Sequence, residues 1–161
     1  MPPVAFSRTA PLSFDKKLGL CFGWLCFSKK NGAEYVDAHG DHFPDDELLK
    51  AVDALMALPA DQREINVEHA GAARGTIATA QHLGEDVAKA LGIDTGGNYG
   101  VIGSFRPDAE LLKSIEGGGS FCLSIEGSAA DVEIIAKSAT AAATAHKRTM
   151  RAVTLTKLAV V

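Results

Sequence analysis

The sequence predicts a strand-dominated α+β domain, barrel-like, with about six or seven strands and two or three helices. Three observations carry this expectation. Apolar runs and alternating stretches bounded by glycine-rich turns outnumber helical patterns. The helical patterns fall irregularly between strands, unlike the regular alternation of a βαβ fold. A chain of 161 residues with 47% hydrophobic and 22% charged residues has the size and composition of one domain able to bury a core.

Residues 1–14 hold Pro2, Pro3 and Pro11 with little periodicity, and they are expected to form a flexible N-terminal arm. Lys17 to Ser28 (KLGLCFGWLCFS) is rich in aromatic and aliphatic residues and reads as a strand, with Gly23 as the place for a kink. Asn31-Gly32 signals a turn, and Glu34 to Val36 is expected to open the next strand. Residues 37–43 read as a polar loop. Pro44 followed by Asp45-Asp46-Glu47 marks a helix start, because proline is tolerated in the first turn and acids favour the positive end of the helix dipole. Leu48, Leu49, Val52, Leu55 and Met56 then recur at helical spacing, and Leu58-Pro59 ends the helix.

Ile65, Val67 and His69 alternate as a strand, with Gly75 to Ala80 as its hairpin partner. Glu85 to Leu91 is a short helix stopped by Gly92. Residues 94–97 (DTGG) form a turn before a strand over Asn98 to Phe105. Pro107-Asp108 starts a helix carrying Leu111, Leu112 and Ile115, which Gly117-Gly118-Gly119 breaks. Ser120 to Glu126 is a strand whose alternation sets Phe121, Leu123 and Ile125 on one face and Cys122, Ser124 and Glu126 on the other. The alanine- and threonine-rich residues 136–147 read as a mobile loop or marginal helix, and Val153 to Val161 as a final strand.

Composition limits the function. A net charge of −4 gives no electrostatic reason to bind nucleic acid or an anionic membrane. The local cluster of His146, Lys147, Arg148 and Arg151 reads as a solvated segment. Three cysteines (Cys21, Cys26, Cys122) without CxxC spacing argue against a disulfide framework or a zinc site, so free thiols in a reducing cytoplasm are expected. The N-terminus lacks a basic region followed by an apolar run, so no secretory signal is expected. The apolar run from Leu18 to Phe27 is too short to cross a bilayer, which needs about 20 residues. His39, Asp41 and His42 together could contribute to a divalent cation site only with further ligands, and a hydrogen-bonded polar turn is the better reading; neither a metal nor a cofactor is expected. Residues 117–120 (GGGS) are not a phosphate loop, because no helix and lysine follow them.

His69 and Ser124 lie in strand-like segments, each followed by a glycine within three residues. A serine hydroxyl is a poor nucleophile until a neighbouring base takes its proton, and a histidine on an adjacent strand can do so. Taken alone, a strand histidine is more often a hydrogen-bonded structural residue and a serine is a weaker signal still, so the pair gains weight only from its context.

Four segments together resemble the bacteriophage prohead proteases, which belong with the herpesvirus assemblins in one serine-protease superfamily. They are Gly23-Trp24 in the first strand, the loop from Asp37 to Asp41 (similar to a D-x-x-G-D word), Glu68-His69, and residues 118–127 (GGSFCLSIEG, similar to G-x-S-I-x-G). The resemblance runs from Lys17 to Val161 and implies a protease-like domain over 15–161. It implies a small closed or partly closed β-barrel surrounded by a few helices, with Ser124 as nucleophile and His69 as general base. The implied reaction is hydrolysis of scaffold protein, major capsid protein and the protease itself, in the host cytoplasm inside the assembling prohead. It also admits a homodimer and involves neither nucleic acid nor membrane. Relatives commonly carry an acid in the last strand, where this chain has Lys157, which cannot accept an imidazole N–H. His146 is therefore the expected third member, by analogy with the second histidine of assemblins, with Glu126 as an alternative. A broken triad in a weak or inactive protease-fold protein, acting as a capsid-assembly binding module, is the competing expectation.

Overall fold

The computed structural model describes residues 4–37, 39–68, 70–118, 121–136 and 146–160, with side chains left out at 4–11, Ser124, 134–136, His146 and Lys157. Ala38, His69, Gly119, Ser120 and residues 137–145 thus lie outside the described residues, and with them the mobile-loop expectation for 136–147.

One mixed sheet organises the domain. Its strands are β1 (Val4–Pro11), β2 (Ser13–Asp15), β3 (Leu20–Lys30), β4 (Ala33–Glu34), β5 (Asp41–His42), β6 (Glu64–Val67), β7 (Ala70–Leu83), β8 (Tyr99–Pro107), β9 (Cys122–Ala136) and β10 (His146–Val160). The order across the sheet is β1-β9-β10-β6-β7-β8-β3-β2, with β4 added to β3 and β5 to β10. The ladders are antiparallel except where β10 runs parallel to β5 and to β6.

The expected barrel closure is not found: no ladder among the described residues joins the two edges. Curvature nevertheless brings β1 and β9 against β3. Leu12 alone separates β1 on one edge from β2 on the other, so the chain itself ties the edges together. Pro11 lacks a backbone N–H, and β2 is three residues long, which leaves little ladder to form there.

The N-terminal arm is also corrected. Val4–Pro11 is a full edge strand paired with β9 from Val4↔Ala129 to Pro11↔Cys122. Pro2 and Pro3 precede it, and Pro11 ends it on a sheet edge, the position where proline costs least. Two strands are much longer than their sequence patterns indicate. β9 and β10 continue as a hairpin ladder out to Ala136 and His146, beyond the apolar alternation that marked them.

Three α-helices among the described residues flank the sheet. α1 (Asp45–Met56) starts after Pro44, has Asp45, Asp46 and Glu47 in its first turn, and buries Leu48, Ala51, Val52 and Leu55 against β10 and β7. α2 (Glu85–Leu91) ends at Gly92, whose φ of 66° is the left-handed cap conformation. α3 (Ala109–Glu116) is capped by Asp108, which accepts from the Leu111 N–H at 2.8 Å and from Arg74 Nε at 2.8 Å. Those two donors, the Leu111 N–H first, hold the Asp108 carboxyl below the usual range. The core lies between the helices and one face of the sheet, with Leu48, Ile65, Phe105, Leu123, Ile125, Met150, Leu158 and Val160 almost fully buried.

Candidate active site

Three adjacent strands, β9, β10 and β6, set the backbone of Ser124 two ladders from the strand that leads into Glu68. Their registers are continuous: Ser124 pairs with Ala159, and Ala159 pairs with Asn66. The rows on either side are Leu123–Val160–Val67 and Ile125–Leu158–Ile65. Those flanking rows belong to the core or pack against it. Directly paired residues share a sheet face and successive residues alternate, so positions 124, 159 and 66 form one row on the face opposite the core. The strand alternation read from the sequence places Ser124 in that same class of position.

The surroundings of this row are tight. Ala159 is fully buried yet is not part of the main hydrophobic cluster, so it is covered on the far face of the sheet. Asn66 Oδ1 is buried and has no hydrogen-bond partner among the described residues. Such an orphan typically costs about 1–3 kcal/mol. Beyond Val67 the chain leaves β6 through Glu68, whose φ of 53° is unusual for a residue with a Cβ and whose N–H donates to Val160 O at 2.9 Å. The strand expected to run through His69 thus ends at Val67, and β7 begins at Ala70, paired back to Val67. His69 itself lies outside the described residues.

The other candidates fall elsewhere. The backbone of His146 pairs with Ala136, at the opposite end of the β9–β10 ladder from the Ser124–Ala159 pair. About twelve residues of β9, at roughly 3.3 Å each, separate the two rows, so the structure does not bring His146 to Ser124. Lys157 pairs with Glu126 just after a register shift at Leu155. Glu126 is half-buried and engaged.

The loop from Asp37 to Asp41 is a hydrogen-bonded turn. Asp37 Oδ1 accepts from the N–H groups of His39 and Asp41. Asp41, buried, accepts from Arg148 Nε at 2.6 Å. His39 and His42 point to different partners, Asp37 and the Tyr35 carbonyl respectively. No group of three or more metal-ligating side chains occurs among the described residues.

A second polar cluster was missed in the sequence. Asp45 Oδ1, at the start of α1, accepts from Ser28 Oγ at 2.5 Å and bonds His82 Nε2 at 2.8 Å. The His82 hydrogen bond, then that of Ser28, outweighs desolvation and lowers the Asp45 carboxyl pKa. Both partners bond the same carboxylate oxygen. That is a tie between β3, α1 and β7 and not a serine–base pair, which needs the imidazole on the hydroxyl. The three residues lie far apart in sequence, and no local pattern announces them. On the far side of the sheet, a groove of about 540 Å³ is lined by Phe22, Trp24, Phe27 and Ile102, with a Thr79–Ser104 hydroxyl pair at 2.6 Å.

No protein-family model and no curated protein matches this chain. Among solved structures, the fold is similar to the bacteriophage T4 capsid assembly protease, gp21, at a TM-score of 0.61 and 14% sequence identity, covering 98% of each chain. No described helix is long and apolar enough to cross a membrane.

Proposed function

We propose that this chain is a serine endopeptidase that matures viral proheads, with Ser124 as nucleophile and His69 as general base. The observation that carries the proposal is a fold shared over nearly the whole length with a capsid assembly protease. The backbone of Ser124 lies two ladders from β6, the strand that leads into Glu68.

In this mechanism His69 takes the Ser124 hydroxyl proton as Oγ attacks the peptide carbonyl. The tetrahedral intermediate collapses to an acyl-enzyme, and His69 returns the proton to the leaving amine. Water then attacks the acyl-enzyme by the same route. Backbone N–H groups would hold the oxyanion, worth about 3–4 kcal/mol per donor by precedent. The proposed substrates are the scaffold protein, the major capsid protein and the chain itself, within the assembling prohead in the host cell, with a homodimer as the proposed assembly. The proposal assigns His146 no part in the step; its backbone pairs with Ala136, at the other end of the ladder from Ser124.

Lys157 in place of an acid supports one alternative, a catalytically weak or inactive protease fold that binds capsid or scaffold protein. Co-expression with scaffold and capsid proteins separates the two. Cleavage by the wild type that is lost in Ser124→Ala supports the peptidase. Cleavage by neither, with co-purification of uncut partner, supports the binding module, and cleavage by both removes Ser124 from the mechanism.

A further inference from the structure

We propose that the groove on the face of β3 and β8 opposite the core docks an extended peptide segment, one that carries bulky apolar side chains between two carboxylates. It lies on other strands than the backbone of Ser124, and it does not rest on the peptidase reading.

Strand register builds the groove. Phe22, Ser104 and Thr79 form one lateral row across β3, β8 and β7, and Trp24, Ile102 and Gln81 form another. Cys21, Val101, Phe105 and Ile77, between these positions or beside them, are buried in the core, so by alternation the two rows face away from it. Phe27 joins them, its ring centroid 5.0 Å from that of Trp24. The result is an apolar trough of about 540 Å³ in which Phe22 is 44% exposed. Single apolar side chains scattered over a surface are ordinary, but three aromatics and an isoleucine side by side mark an interaction site.

Charge decides what fits. Arg106 follows Ile102 and Ser104 in the alternation of β8 and stands beyond one end of the trough, exposed, with Nη1 donating to Leu18 O at 3.2 Å. Lys30 stands at the other end, its Nζ 5.4 Å from the Phe27 ring centroid and 5.7 Å from that of Tyr35. Neither cation forms an ion pair among the described residues, and Asp15 on β2 is engaged by the N–H groups of Lys17 and Leu18. Gly100 pairs with Phe27, so six residue steps of β8, roughly 20 Å, separate the level of Arg106 from that of Phe27. An extended peptide covers that distance in about six steps, which sets carboxylates at its first and seventh residues and apolar side chains at its third and fifth on one face. The Thr79–Ser104 hydroxyl pair, 2.6 Å apart, shares one proton and keeps the other to donate to a peptide carbonyl. A single-stranded nucleic acid fits less well. It carries a phosphate at every residue and calls for cations along its whole length, whereas the trough has them at its ends and the chain has a net charge of −4.

The test uses the full chain with Ser124→Ala, so that hydrolysis plays no part, and reads the emission of Trp24, the single tryptophan. The probe is the capped peptide Glu-Ser-Phe-Ser-Phe-Ser-Glu. A saturable blue shift is expected, weakening as salt is raised. The same peptide with lysine at both ends, and one with serine for both phenylalanines, are expected to bind at least about tenfold more weakly. Phe22→Ser, at an exposed position, and the double variant Arg106→Glu/Lys30→Glu are each expected to weaken the glutamate peptide about tenfold or more with circular dichroism unchanged, and the double variant should prefer the lysine peptide. No shift with the glutamate peptide, equal binding of the glutamate and lysine peptides, or binding that survives the double reversal overturns the proposal. Tighter binding of oligothymidylate overturns it in favour of nucleic acid. A Trp24 shift that follows protein concentration alone, with self-association in sedimentation, overturns it in favour of a second copy. If a variant does not fold, the comparison of the three peptides on the parent chain decides. Loss or retention of scaffold cleavage in Ser124→Ala bears on the peptidase reading alone.

Discussion

Arg148 and Asp41 stand opposite each other in the parallel β10–β5 ladder, and Arg148 Nε donates to Asp41 Oδ1 at 2.6 Å. The Asp41 side chain is 4% exposed and that of Arg148 35%. The pair pins the 37–43 loop onto β10, the strand that also carries Ala159.

Arg148→Met removes the guanidinium from a buried carboxylate, and breaking such a pair costs about 3–5 kcal/mol when it is fully buried. Partial exposure of Arg148 brings the expected cost to about 2–3 kcal/mol in urea unfolding. Asp41→Asn should cost less. The double variant should cost less than the two singles together, because each single removes the same contact. Strict additivity would show that the pair is not coupled.

Asp45 makes stability depend on acid pH. Its folded pKa is lowered by His82 and Ser28. Its contribution is therefore complete above the unfolded carboxyl pKa, about 3.9, and disappears as pH falls through the lower folded value. Asp45→Asn should lower stability at neutral pH by about 1 kcal/mol, less than the roughly 1.5–3 kcal/mol of a buried hydrogen bond to a charged group because the Asp45 side chain is 40% exposed. Thermal melts of the two proteins should converge as pH falls below the unfolded carboxyl value and through the lower folded one. A gap that stays constant down to the acid transition would contradict this.

Gly100 packs where β8 meets β3. A Cβ there would lie 2.1 Å from the Cys26 carbonyl oxygen and 2.8 Å from Phe27 Cα, at a φ of 151°. Both contacts are backbone and cannot swing aside. Gly100→Ala should therefore destabilise by about 3 kcal/mol or more, beyond the ordinary range of point changes. Gly118, also at positive φ but with nothing within 4 Å of its Cβ position, should show a smaller loss from backbone conformation alone.

The cysteines should differ in reactivity. Cys21 is fully buried and its thiol is pushed up to about 11 by desolvation, while Cys26 is also buried and Cys122 is half-buried. The thiolate is the reacting form. Brief iodoacetamide treatment of the native protein at about pH 8 should label Cys122 first and leave Cys21 intact until denaturant is added. Mass spectrometry that found Cys21 modified at the same rate would contradict the buried placement.

Much of the local structure was legible from residues alone. Pro44 and the acids after it marked α1, Asp108 marked α3, and Gly92 marked the end of α2, because caps and dipoles act within one turn. Alternation around Leu123 and Ile125 marked β9 and the class of position that Ser124 occupies. The N-terminal strand was not legible, since its pairing with β9 comes from more than a hundred residues away in sequence and its prolines argued against order. The far halves of β9 and β10 were missed because each is held by the other and shows no apolar alternation of its own.

The candidate site divides in the same way. Sequence by itself singled out the candidates, Ser124 and His69, and the lysine at position 157 where the resembling family commonly has an acid. Only the tertiary structure decided which residues are neighbours. It set the backbones of Ser124, Ala159 and Asn66 in one row, buried Asn66 Oδ1 with no partner among the described residues, put the His146 backbone at the other end of the ladder, and joined Ser28, Asp45 and His82. The reason is physical. Caps, turns and alternation are local energies written in adjacent residues. Register between distant strands is a collective outcome of core packing, and a shift of one residue would carry every side chain to the opposite face.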